Sequence, residues 1–195
     1  MVDSSQSHLP CQVGNVRIRT MQSHEIPTLA RIYIETIQAT HPGLVSEQFL
    51  QTVSQESTLQ RLESIFNHQE HHPFGYVCTN HGTIIGFAVG DVATYPPEGY
   101  QGELRMIYVL PAYHRVGMGR KLLCAVAEHF EREQVASMFL GVFNNNSPAR
   151  RFYEALGGLK IDESPGEEGK EGSVRYGWPS VHELIQVLRS SSRTQ

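Results

Sequence analysis

The stretch Glu103-Leu-Arg-Met-Ile-Tyr-Val-Leu-Pro-Ala-Tyr-His-Arg-Val-Gly-Met-Gly119 decides how the rest of the chain is read. Leu104, Met106, Tyr108 and Leu110 alternate with Glu103, Arg105, Ile107 and Val109, a period of about two with apolar residues on both faces, as in an inner strand. From Met118 the period changes. Met118, Leu122, Val126 and Phe130, with Leu123 and Ala127 beside them, form one stripe of an amphipathic helix. Up to four N–H groups in the first turn of such a helix have no helical partner, and Gly117 and Gly119 let a ligand approach the backbone closely. Arg115, Arg120 and Lys121 cluster where the helix macrodipole is already positive, at about 0.3–1 kcal/mol of unfavourable energy per cation. A bound anion reverses that sign. The segment therefore reads as a phosphate or pyrophosphate cradle of main-chain amides flanked by basic side chains. The alternative is a tight strand-to-helix turn with solvated basic residues.

Two phosphate-binding patterns do not fit. No Gly-Lys-Ser/Thr follows the turn, so the lysine and magnesium-binding hydroxyl of a nucleotide-hydrolysing loop are missing. Leu122 stands where a dinucleotide-binding Gly-x-Gly-x-x-Gly places its third glycine. His114-Arg115-Val116-Gly117-Met118-Gly119 instead resembles the core motif of the GNAT N-acetyltransferase superfamily, Gln/Arg-x-x-Gly-x-Gly/Ala, whose turn holds the pyrophosphate of acetyl-coenzyme A. Downstream, Asn146-Ser147-Pro148-Ala149-Arg150-Arg151-Phe152-Tyr153-Glu154-Ala155-Leu156-Gly157-Gly158 is similar to the family's Asn-x-x-Ala-x-x-Phe-Tyr-x-x-x-Gly-Phe helix. Read physically, Ser147 is an N-cap, Pro148 suits the first helical position, and Ala149, Phe152, Tyr153 and Leu156 share a face that Gly157 ends. Phe139, Leu140, Val142 and Phe143 form the strand before it. The resemblance spans about residues 16 to 180. It implies an α/β acyl-CoA N-acyltransferase fold with a mixed, mostly antiparallel central sheet flanked by helices. His114 replaces the usual Gln or Arg and Gly158 the closing Phe; neither change removes a backbone amide.

At 195 residues, 39% hydrophobic and 18% charged, the chain suits one hydrophobic core. The resemblance implies a flexible tail over 1–15, a GNAT N-acetyltransferase domain over 16–190 and a second flexible tail over 191–195. The formal charge of −4 argues against a general nucleic-acid binder and favours cationic substrates weakly. Cys11, Cys78 and Cys124 are far apart and in no Cys-x-x-Cys pair, which suggests neither a disulfide framework nor a zinc site. A cytoplasmic location is the simplest expectation. No apolar run approaches a membrane span, so no membrane partner is expected. Val16 to Thr20 reads as a strand, and Ile26, Leu29, Ala30, Tyr33 and Ile37 as a helix broken by His41-Pro42-Gly43. Ser46 to about Gln69 is a second helical region with a break near Ser57. Phe74 to Thr79 and Thr83 to Val92 form a hairpin turned at Asn80-His81-Gly82. After the second motif, Leu159 to Asp162 and Ser173 to Trp178 read as strands around an acidic Gly-rich loop, with a helix from Val181 to Leu188.

Acetyl transfer to an amine poses two proton problems. An alkyl amine with a pKa of about 10.4 is protonated near neutral pH and must lose a proton before it can attack a thioester. Glu103 is placed to take it, directly or through water, and a strand glutamate at that spacing is a general base in the enzymes this chain resembles. The other reading of Glu103 is a strand carboxylate paired with Arg105. The second problem is the departing thiolate. Tyr153 matches the tyrosine that many family members use as general acid; its other reading is core packing beside Phe152. The resemblance implies that the backbone at Val109 and Leu110 pairs with the pantetheine arm, and that Arg115, Val116, Gly117, Met118, Gly119 and Arg120 hold the pyrophosphate. Asn146 bonds the pantetheine or serves its own turn. No cysteine occupies a motif position, which favours direct transfer in a ternary complex.

His68, Glu70, His71 and His72 read as a solvated cluster, and no metal is assigned. Asp162, Glu163, Glu167, Glu168 and Glu171 either steer a cationic amine or are a solvated hairpin. Tyr108, Tyr176 and Trp178 line a pocket or belong to the core. The reading is an acetyl-CoA-dependent N-acetyltransferase acting on a primary amine of a small molecule, peptide or protein. The alternative is a coenzyme A-binding sensor or interaction module without turnover. A homodimer stays open.

Overall fold

A computed structural model describes residues 14–40, 45–67, 69–167 and 170–190. Residues 1–13 and 191–195 of the expected tails, Cys11, the His41-Pro42-Gly43 break, His68 and Glu168 lie outside them. In chain order the elements are β1 (Val16–Thr20), α1 (Ile26–Thr40), α2 (Glu47–Thr52), α3 (Gln55–Asn67), β2 (Phe74–Asn80), β3 (Thr83–Val92), β4 (Gly102–Val109), α4 (Met118–Arg132), β5 (Met138–Phe143), α5 (Ser147–Ala155), β6 (Leu159–Glu167), β7 (Lys170–Trp178) and α6 (Val181–Ser190). The strands make one sheet ordered β1-β2-β3-β4-β5-β7-β6, antiparallel throughout except for β4 against β5.

Both faces of the sheet are covered. Leu29, Ile32, Tyr33 and Ile37 of α1 and Leu62 of α3 pack with Val77, Phe87, Val89 and Met106 on one side. Leu122, Leu123, Val126 and Phe130 of α4, Tyr153 and Leu156 of α5, and Leu184, Ile185 and Leu188 of α6 pack with Ile85, Leu104, Met138, Leu140, Tyr176 and Trp178 on the other. A strand covered on both faces has no polar side, which is why β3 reads Ile-Ile-Gly-Phe-Ala-Val with every residue buried. The expected β2–β3 hairpin forms, and His81 and Gly82, both at positive φ (49° and 84°), make its two-residue turn.

Four expectations need correction. First, the alternation through β4 does not run unbroken. Val89 pairs with Met106 but Gly90 pairs with Leu104, so Arg105 is an extra residue with no partner on β3. This bulge flips the phase: Leu104, Ile107 and Val109 face α4, while Met106 and Tyr108 face α1. Second, the break after Ser46 falls at Val53 and Ser54, not at Ser57, whose N–H and hydroxyl instead bond the Ser54 side chain at 3.1 and 3.0 Å. Third, Asn146 caps α5, its Oδ1 accepting from the Ala149 N–H (3.2 Å), so Ser147 and Pro148 are the first two helical residues. Fourth, β6 and β7 extend through most of the expected acidic loop.

Candidate active site

β4 and β5 hold the site because they pair only at their first residues. The parallel ladder joins Gly102 to Met138, Glu103 to Phe139 and Leu104 to Leu140, and then stops although both strands continue. Beyond it the strands enclose a V-shaped gap that opens toward the turn before α4. On the gap edge, the Leu110 N–H bonds back to the Ile85 carbonyl of β3 (2.9 Å). Antiparallel main-chain groups alternate in direction, so those of Val109 turn into the gap. The Val109 carbonyl accepts from His114 Nε2 (2.7 Å) and from the Thr36 hydroxyl (3.3 Å). The His114 ring, at the unusual position of the motif, thus fastens the turn to the end of β4, and the Val109 N–H is the group that faces the gap.

The turn itself has the shape of an anion cradle. Arg115 and Gly117 are both left-handed, with φ of 61° and 82°, which folds successive N–H groups toward one side. Gly117 is the N-cap of α4. The first intrahelical bond runs from the Lys121 N–H to the Gly117 carbonyl (3.1 Å), so the Met118, Gly119 and Arg120 N–H groups have no helical partners. A Cβ at Gly119 would meet only the tip of the Phe152 ring, at 3.9 Å, and a Cβ at Gly117 would meet nothing within 4 Å. Packing within the chain therefore does not explain the absence of a side chain at Gly119. Arg115 and Lys121 flank the turn as exposed residues. Arg120 departs from the expected cluster. Its Nε donates to the Leu188 carbonyl (3.0 Å) and its terminal nitrogen to that of Val187, so its charge caps the C-terminus of α6 and only its backbone N–H stays at the turn.

Glu103 sits at the closed end of the gap, half-buried, and burial pushes its carboxyl above the ordinary glutamate range. Arg105 opposes that shift from 3.5 Å, Asp91 adds to it, and Arg175 and Arg61 oppose it from further away. A carboxylate raised by desolvation is a better proton acceptor at neutral pH than a solvated one. Tyr153 is 6% exposed and packs edge-on to Phe152 and Trp178 at 5.3 and 6.2 Å, yet its hydroxyl has no hydrogen-bond partner among the described residues. Burial alone raises its pKa, so the phenol holds its proton. The ring is buried, whereas the hydroxyl oxygen keeps access to solvent, so a ligand can reach it.

A family model described as the acetyltransferase (GNAT) family matches residues 38–158, which include the cradle, Glu103 and Tyr153. The chain belongs to that family. This GNAT acetyltransferase is 27% identical over 182 residues to the uncharacterized N-acetyltransferase YuaI of Bacillus subtilis, covering 89% of this chain and 98% of YuaI. It is 30% identical over 105 residues to the [ribosomal protein bS18]-alanine N-acetyltransferase of Escherichia coli, covering 52% of this chain and 68% of that one. Among solved structures, a PaiA N-acetyltransferase from Thermoplasma acidophilum in complex with coenzyme A superposes with a TM-score of 0.64 at 20% identity, over 85% of this chain and all (100%) of that one. YncA from Salmonella typhimurium with its cofactor acetyl-CoA superposes with a TM-score of 0.61 at 20% identity, over 86% of this chain and 95% of that one. The protein is an acetyl-CoA-dependent N-acetyltransferase, an enzyme that moves an acetyl group to an amine.

Other parts of the GNAT acetyltransferase settle into simpler roles. Tyr176 and Trp178 are buried at 1% and 3% exposure, as core rather than pocket wall. Tyr108 is half-buried, edge-on to Tyr33 at 4.7 Å, and its pKa is raised by burial and by the neighbouring Tyr33 and Tyr153 phenols. Three acids of the hairpin have partners: Asp162 pairs with Arg175 and Glu163 with Lys160 within it, and Glu171 accepts from the Ser46 N–H before α2 at 2.7 Å. Asp91, paired across the strands with Glu103 and bonded by Arg105, carries no motif in the sequence. A single acid in the apolar run of β3 was the available signal. Among the described residues, no group of three or more His, Cys, Asp or Glu is placed to hold a metal, and no helix is long and apolar enough to cross a membrane.

Proposed function

We propose that this enzyme transfers the acetyl group directly from acetyl-coenzyme A to a primary amine within a ternary complex. The observation that supports this most is the cradle: two left-handed residues, three helical N–H groups without helical partners and an open Gly119, set beside a gap in the sheet. In this reading the N–H groups of residues 116–120, with Arg115, hold the pyrophosphate, and the Val109 and Leu110 backbone guides the pantetheine arm into the gap. Asn146 serves its own helix as cap. Glu103 takes the proton of the acceptor ammonium, the freed amine attacks the thioester carbon, and the Tyr153 hydroxyl gives its proton to the departing thiolate. Each residue does work suited to its environment: a partly desolvated carboxylate accepts, and a phenol that keeps its proton donates.

The acceptor class stays at primary amines. The bS18-alanine enzyme of Escherichia coli, similar over half of this chain, makes a peptide with N-terminal alanine a rational first acceptor. The test is calorimetric titration with acetyl-coenzyme A, followed by a thiol-release screen with that peptide, a polyamine and free amino acids. Binding with acetyl-coenzyme A-dependent, amine-stimulated thiol release supports the reading. No binding overturns the cradle assignment, and binding without amine-stimulated release from any acceptor counts against the Glu103 and Tyr153 roles.

A further inference from the structure

The bulge in β4 puts three charges on one side of the sheet. Asp91 and Glu103 are direct cross-strand partners on β3 and β4. Arg105, the extra residue of the bulge, divides its guanidinium between them: Nε bonds Asp91 Oδ2, and one terminal nitrogen lies 3.5 Å from Glu103 Oε2. Asp91 is 2% exposed, and its Oδ1 has no hydrogen-bond partner among the described residues. A bidentate pair would close two nitrogens of the fork on both oxygens of one carboxylate. Here the fork is split, and the carboxylate that ends up under-bonded is the buried one.

We propose that Asp91 is a positioning residue that holds the Arg105 guanidinium partly off Glu103 and so keeps the Glu103 carboxylate free to accept a proton. The inference rests on Glu103 as the base. Without Asp91, nothing on β3 competes for Arg105, which lies two residues along the same strand from Glu103 and closes on it as a full ion pair. Without Arg105, two carboxylates face each other across the strands. The other charges near Glu103 are Arg175 on β7, itself paired with Asp162, and Arg61 on α3; His71 acts on Asp91.

The experiment is a carbon-13 NMR titration of the glutamate carboxyls in the full-length protein, with the Glu103 signal assigned by its loss in Glu103→Gln. Asp91→Asn is expected to move the Glu103 midpoint down by about 0.5–1 pH unit, and Arg105→Met to move it up by a similar amount. The double variant is expected to fall between them. Two variants of opposite sign guard against one that fails to fold. An unmoved midpoint in either folded variant, or shifts in the same direction, overturns the proposal and makes Asp91 structural. Failure of the base reading shows separately: full turnover by Glu103→Gln, with a competent amine, removes Glu103 from the chemistry whatever the midpoints do.

Discussion

Replacing Gly119 with alanine separates what the chain needs from what the ligand needs. Gly119 is the second residue of α4 and has ordinary helical φ, so alanine fits its backbone. The added methyl would touch the Phe152 ring at 3.9 Å, a normal contact, and no other atom within 4 Å outside the helix's own backbone. Gly→Ala at a compatible helical position stabilises a protein by about 0.4–1 kcal/mol, mainly by restricting the unfolded chain. For a domain of this size that is a rise in Tm of roughly 1–4 °C. In the proposed reading the same methyl stands where the cradle meets an anion. Loss of one charge-assisted hydrogen bond is worth about 1.5–3 kcal/mol, so coenzyme A should bind about 10- to 100-fold more weakly. Thermal unfolding without ligand and titration calorimetry with coenzyme A read the two effects independently. A variant that is more stable when empty and binds poorly is the expected result. Unchanged coenzyme A affinity would refute the cradle, and a destabilised empty protein would refute the claim that the position is sterically open.

Glu103→Gln should lower kcat by about 10²–10⁴-fold with little change in coenzyme A affinity. In the wild type, kcat/KM should rise with pH through a midpoint above that of an ordinary glutamate, because burial raises the Glu103 pKa, and this limb should vanish in the variant. Tyr153→Phe should bind coenzyme A normally and slow acetyl transfer by about tenfold or more; a wild-type single-turnover rate would exclude the general-acid role. Glu25 gives a stability prediction. It is buried, bonded by Arg19 at 2.6 and 2.9 Å and by the Gln22 N–H at 2.8 Å, and the Arg19 bond holds its carboxyl below the usual range. The stability linked to a depressed pKa is present above the unfolded value, about 4.3, and is lost as pH falls through the folded one. Denaturant unfolding should therefore find Glu25→Gln weaker by about 1–2 kcal/mol at pH 7, given the half-exposed Arg19, and close to the wild type near pH 3. An equal deficit at both pH values would show that the charge is not the cause.

Where an interaction is local, the sequence already contained it. The α4 stripe from Met118 to Phe130 is buried as its spacing indicates, because every third or fourth residue of a helix faces one way whatever it packs against. The His81-Gly82 turn forms because its two positions need positive φ, and the cradle because left-handed turns and unpaired helical N–H groups arise within a few residues. Even the Asn146 cap was within reach, since asparagine and serine compete for the same position and the structure chose the earlier residue.

The sequence by itself determined the strand–turn–helix order, the cradle and the identity of Glu103 and Tyr153 as candidates. Tertiary structure alone decided which face of β4 each side chain occupies and who its neighbours are. A single extra residue at Arg105 reverses the alternation, and that residue is extra only with respect to β3, so no period within β4 can reveal it. Sequence proximity places Arg120 at the anion turn, but its side chain is long enough to reach the C-terminal carbonyls of α6, which the fold brings alongside α4. Asp91 acquires its place by the same cause. Its carboxylate faces Arg105 and Glu103 because strand register aligns residues distant in the chain, and register is a property of the assembled sheet.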